Sequence, residues 1–140
     1  GIGITSALFA LSGKKVTSIE ISPSAVRDAK RIGALNDLSA DISYIRGDAA
    51  KILTKIGNAE KSIFFVDPPR SGLGEKTALM ITGYAPREIV YLSCNPQTLK
   101  EDIKTIIENG YKIVSATPYD LFPETKHVET LVLFSAKQAK

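Results

Sequence analysis

The chain has 140 residues, of which 44% are hydrophobic and 24% charged, with a net charge of +3. That length allows one domain with a sizeable core, and the balance excludes a disordered or collagen-like chain. No apolar run approaches the ~20 residues of a membrane-spanning helix, no signal-peptide pattern opens the chain, and the only cysteine cannot make an internal disulfide. No membrane contact and a reducing cytoplasm are therefore expected. The small basic excess permits a polyanionic partner without identifying one.

Strand-like and helix-like segments alternate along the chain. "ITSALFALSG" has helical spacing and a terminal glycine that stops it. "KVTSIEI", rich in β-branched residues, predicts a strand. In "SPSAVRDAKRIGALNDL" a serine cap precedes a first-turn proline, and Ala25, Ala29, Ile32 and Leu35 recur at helical spacing. "ISYIRGD" is a strand, "AAKILTKIG" a short helix, and "KSIFFVDPPR" a nearly continuous apolar strand ending in a stiff turn. "EKTALMITGY" predicts a helix and "REIVYLS" a strand. "PQTLKEDIKTIIENG" predicts a helix from Pro96, with Leu99, Ile103, Ile106 and Ile107 on its buried face. "YKIVSATPYDL" and "HVETLVLFSA" are two strands with no helix between them, and "KQAK" is a frayed end.

This alternation predicts an α/β fold, a mostly parallel sheet with an antiparallel last strand. The chain begins at Gly1, and a doubly wound fold places its first strand just before such a glycine turn. The expectation is therefore a fragment of a longer chain, one catalytic domain over 1–140. Its sheet would be incomplete, or completed by a strand from another chain.

Open α/β sheets bind ligands at the carboxyl ends of their strands, so the residues there are the candidates. "GIGITS" places Gly1 and Gly3 before a helix whose first N–H groups are free. Glu20 ends the next strand at the spacing of a carboxylate that accepts from a ribose diol. Asp48 follows "ISYIRG", where it can accept from an adenine amino group or cap the next helix. Asp67 ends "IFFV", and its two prolines hold it and Arg70 in place. Cys94 follows "REIVYLS". Glu129 and His127 stand at the start of the last strand, and His127 is read first as a loop histidine with a structural hydrogen bond. Glycine turn and successive acids suggest a nucleoside-type cofactor, and the closing strand pair favours a Rossmann-like methyltransferase over a dinucleotide-binding oxidoreductase.

"FVDPPRSGL", "VYLSCNPQTL" and "DLFPETKHVETLVLF" resemble, in order, three signature blocks of the RNA (uracil-5)-methyltransferase family. The resemblance runs from Gly1 through Phe134. It implies a class I methyltransferase fold and methyl transfer from S-adenosylmethionine to C5 of a uridine in ribosomal or transfer RNA. By position it implies Cys94 as nucleophile, Glu129 as general base, and Asp67 as an acid near the uracil and the cofactor. It implies Gly1, Gly3, Glu20, Asp48 and Asp67 for the S-adenosylmethionine pocket. Family members usually carry upstream RNA-binding and central domains, often with an iron–sulfur cluster, which this sequence does not include. No feature of the sequence sets an oligomeric state.

These residue types suit that chemistry. Uracil C5 is a poor nucleophile until a thiolate adds at C6, which divides one hard step into easier ones. A base must then remove the C5 hydrogen so that the cysteine can leave. The base must also leave any stack, which favours unpaired uridines. The alternatives are a methyltransferase acting on another base and a cofactor-binding fragment without turnover. An amino-methyltransferase would carry an aromatic after Asp-Pro-Pro, where this chain has Arg70.

Overall fold

The computed structural model describes residues 1–53, 59–125 and 127–137. The end of the predicted helix in "AAKILTKIG" and most of "KQAK" lie outside them. The chain divides into two compact units, Gly1–Lys55 and Ile56–Lys140.

The first unit is built from α1 (Ile4–Leu11), β1 (Val16–Glu20), α2 (Pro23–Leu35), β2 (Ile42–Arg46) and the short α3 (Ala49–Ile52). β1 and β2 pair in parallel, from Val16 opposite Ile42 to Glu20 opposite Arg46. The pairing leaves their carboxyl ends together, one bearing Glu20 and the other leading to Asp48. Ala7, Ala10, Leu38 and Ile42 form the core, with Val16, Ile32 and Tyr44 packed against it. α2 starts as the sequence predicts: Ser22 accepts from the Ala25 N–H, and Pro23 supplies the first turn. Its buried face differs from the expected stripe. Val26, Ala29 and Gly33 are buried, whereas Leu35 is 72% exposed. At about 100° per residue Leu35 lies about 180° from Val26, so the helix cannot bury both.

The second unit contains a 3₁₀ turn (Ala59–Lys61), β3 (Ile63–Val66), α4 (Glu75–Tyr84), β4 (Glu88–Ser93), α5 (Pro96–Glu108), β5 (Tyr111–Tyr119) and β6 (Glu129–Ala136). Its sheet runs β3-β4-β6-β5. β3 and β4 are parallel, and β6 is antiparallel to both β4 and β5, as expected of the last strand. Ile89 and Tyr91 of β4 face Phe134 and Val132 of β6 in register, and all four are fully buried. Leu99 and Ile106 of α5 are buried, but the third buried residue of that helix is Asp102, while Ile103 and Ile107 are only half-buried. β5 pairs only with β6, and after Tyr111 its residues are exposed, as an edge strand's are. Pro118, which has no N–H to donate, is tolerated there.

Six strands among the described residues thus form sheets of two and four, rather than one sheet of seven. β1 and β2 pair only with each other.

Candidate active site

The tip of β4 is shaped by its own polar side chains. Ser93 Oγ donates to the carbonyl of Asn95 and accepts from its N–H, both at 3.1 Å, bracketing Cys94. Asn95 then caps α5: its Oδ1 accepts from the Gln97 N–H at 3.1 Å, and Pro96 fills the first helical position. Cys94 is half-buried, free, and close to the amino end of a 13-residue helix, where the helix dipole favours an anion.

Two further segments close on this tip. The turn after β3 is held through its backbone, because the carbonyl of Arg70 accepts from Asn95 Nδ2 at 2.9 Å and from Thr98 Oγ1 at 3.2 Å. A few residues on, Asp102 accepts from the N–H groups of Leu73 and Gly74 and from the hydroxyl of Tyr91 at 2.6 Å. Gly72 has a φ of 77°, and a Cβ there would stand 2.6 Å from Asp102 Oδ2, so this turn requires glycine. The other segment is the β5–β6 loop. Thr125 Oγ1 donates to the Phe122 carbonyl at 2.7 Å and accepts from the His127 N–H at 3.2 Å, folding the loop back towards β6.

Register brings Cys94 and Glu129 together. Ser93 of β4 stands opposite Thr130 of β6, so one residue further in each antiparallel strand are Cys94 and Glu129. Both line a cavity of about 270 Å³, with Arg70, Phe122 and His127 forming the rest of its wall. Arg70 Nη2 donates to His127 Nδ1 at 2.7 Å. The Phe122 ring meets the imidazole edge-on, with centroids 6.4 Å apart. Asp67 stands at the end of β3 as predicted, but it is exposed and does not line this cavity. Arg70 and Phe122 are wall residues that the sequence did not single out as site residues. His127 has the hydrogen bond expected of it, made to a cavity side chain.

The remaining candidates lie in the first unit. Glu20 ends β1, with Oε1 accepting from the Ser22 N–H at 2.7 Å. Gly3, with φ 90°, caps α1; a Cβ there would lie 2.6 Å from Ala29 Cβ, so α2 alone already demands a glycine. Around Gly1 a Cβ would meet nothing within 4 Å. Asp48 precedes α3, and its carbonyl accepts from the N–H groups of Lys51 and Ile52. A glycine turn and a carboxylate at a strand end suit a nucleoside cofactor, because carboxylate oxygens accept from a ribose diol. A larger hollow of about 430 Å³ lies at the opposite, amino ends of β1 and β2, around the Lys15–Asp41 ion pair.

This combination defines the class: α/β, with a last strand inserted antiparallel beside its neighbour and acids at the strand ends, it is a Rossmann-like class I S-adenosylmethionine-dependent methyltransferase fold. The chain matches the model of the tRNA (uracil-5-)-methyltransferase family over residues 3–137 and belongs to that family. It is 40% identical over 134 residues to an uncharacterized RNA methyltransferase of Protochlamydia amoebophila, covering 94% of this chain and 31% of that one. A similar relative in Thermotoga maritima is 41% identical over 133 residues, covering 94% and 30%. The chain therefore spans about a third of the length of the curated relatives it matches. Among solved structures, the tRNA (uracil-54, C5)-methyltransferase of Pyrococcus abyssi, in complex with S-adenosyl-L-homocysteine, superposes with a TM-score of 0.82 at 29% identity, covering 96% of this chain and 31% of that one. The pre-rRNA processing protein fibrillarin of Methanococcus jannaschii shares the fold at 19% identity, with a TM-score of 0.65 and coverage of 98% and 64%.

Proposed function

We propose that the protein methylates C5 of a uridine in RNA, and that Cys94 and Glu129 carry the covalent chemistry. The observation that supports this most is their placement opposite one another at the ends of β4 and β6, in the wall of one cavity. Cys94 adds as thiolate to C6 of the uracil, forming the S–C6 bond and moving the C5–C6 π pair towards C5 and O4. S-adenosylmethionine, when bound, would supply an electrophilic methyl group to C5 and leave as S-adenosylhomocysteine, the S–CH3 pair remaining on sulfur. Glu129 then accepts the hydrogen left on C5, the electron pair re-forms the C5–C6 double bond, and the S–C6 bond breaks to return the thiolate. Glu129 has to act as a carboxylate for this step.

Gly1, Gly3, Glu20 and Asp48 are proposed to hold the cofactor, Glu20 by accepting from its ribose hydroxyls. Asp67, placed at the next strand end, is proposed to orient the uracil edge or the cofactor, accepting from N3–H if it faces the base. The descriptions of the family model and of the Pyrococcus neighbour favour transfer RNA over ribosomal RNA; the cytoplasm is proposed as the place of reaction.

The test is methylation of transfer RNA and ribosomal RNA transcripts by the intact protein, with 5-methyluridine measured by mass spectrometry after digestion. Wild type forms it; Cys94→Ala forms none. Glu129→Gln stops with methylated RNA still attached to the protein. Binding of S-adenosylhomocysteine without any methyl transfer by wild type would overturn the reading.

A further inference from the structure

Arg70 is exposed, yet its side chain is tied at a definite point. Its carbonyl is held by Asn95 and Thr98, the cap and first turn of the helix that follows Cys94. Its guanidinium is held 57 residues away in sequence by His127. No carboxylate lies within ion-pair distance of it among the described residues. A guanidinium has only donors, so Nδ1 of His127 must be the acceptor. The imidazole in this contact is therefore neutral and carries its proton on Nε2. Phe122, edge-on to the ring, and the Thr125 hydroxyl, bonded to the His127 N–H, fix the ring's seat. The result is a cation oriented from both ends, with no carboxylate in ion-pair contact among the described residues, in the same cavity wall as the thiol and Glu129.

We propose that Arg70 is the electrophilic group that receives the negative charge developing on the pyrimidine C4 carbonyl oxygen when Cys94 adds to C6, and that His127 is the residue that positions it. This rests on the reading of Cys94 as the nucleophile. As the S–C6 bond forms, the C5–C6 π pair moves into the C4–C5 bond and charge collects on O4; no proton is transferred in this step. A preorganised donor aimed at such an oxygen lowers the barrier more than it tightens ground-state binding. The neutral His127 leaves the guanidinium's charge intact while consuming one of its five N–H groups. An acidic partner in that place would have neutralised it.

The test is the rate at which the intact protein forms a covalent adduct with a transfer RNA transcript in which uridine is replaced by 5-fluorouridine, measured beside the dissociation constant for the same RNA. Arg70→Gln is expected to slow adduct formation by about 100-fold, the usual loss for one oxyanion donor, with RNA affinity changed less than about threefold. His127→Asn, whose amide oxygen can stand where Nδ1 does, is expected to stay within about tenfold of wild type, and His127→Leu to approach Arg70→Gln. Equal rates in wild type and Arg70→Gln, or parallel losses of rate and RNA affinity, would overturn the proposal. So would equal rates for His127→Asn and His127→Leu. If wild type forms no adduct, the nucleophile reading itself fails and the Arg70 role goes with it. The positioning contact is then read separately, by ring ¹⁵N shifts. These are expected to show the Nε2–H tautomer of His127 in wild type and a tautomer mixture in Arg70→Gln; a mixture in both would refute the contact.

Discussion

Asp102 is 3% exposed and accepts three hydrogen bonds, from Tyr91 and from two backbone groups of the turn after β3. Its removal would leave a buried hydroxyl and two N–H groups without their acceptor. Asp102→Ala is expected to lower stability by about 3 kcal/mol, measured by urea denaturation. A loss under about 1 kcal/mol would mean that water replaces the carboxylate. The tyrosines make a pH prediction at the same scale. Burial pushes the Tyr111 hydroxyl up to about 12, and it donates to the Pro86 carbonyl at 2.7 Å. Burial and then the Asp102 carboxylate raise Tyr91 too. A raised folded-state value means this stability is complete below the unfolded tyrosine's ~10 and is lost as pH climbs through the folded value. The urea midpoint should fall from pH 10 upwards, less steeply in Tyr111→Phe than in wild type. An equal slope in both would exclude a role for Tyr111.

Elements were legible where local chemistry decides them. Ser22 before Pro23 marks one helix start and Pro96 another, and the side chains of Ser22 and Asn95 make the caps. Helix faces were less legible. A list of apolar residues at helical spacing admits more than one stripe, and Leu35, though in phase with Ile32, is exposed. A polar residue such as Asp102 gives no sign that partners from β4 and a distant turn will bury it. Asn95 joins two elements, capping α5 with Oδ1 and holding the Arg70 carbonyl with Nδ2. Asn95→Ala is therefore expected to cost about 1–2 kcal/mol, and Asn95→Asp, which keeps only the cap, about half of that. Differential denaturation of the two variants measures the split; equal losses would mean that the link to Arg70 contributes nothing.

For the molecule as a whole, the fold class and family follow from features that short stretches carry: strand periodicity, glycine turns and three motif blocks. The pairing of Cys94 with Glu129 does not. They are 35 positions apart in number, and only the antiparallel register of β4 and β6 makes them neighbours across the sheet. The contact between Arg70 and His127 is equally long-range. It is set by where the β5–β6 loop folds back, and the residues flanking either one say nothing of the other. Asp67, which local sequence marks most strongly as a site residue, stands outside the cavity that Cys94 and Glu129 share. The central claim is that Cys94 forms a bond to the target base. Fluorine at C5 cannot leave as a proton, so incubating the intact protein with S-adenosylmethionine and 5-fluorouridine-substituted transfer RNA should accumulate a covalent complex. Digestion and mass spectrometry of that complex should find the modified nucleotide on the peptide containing Cys94. A nucleotide on another residue, or methylation of ordinary transfer RNA with no complex on the fluorinated RNA, would contradict the account.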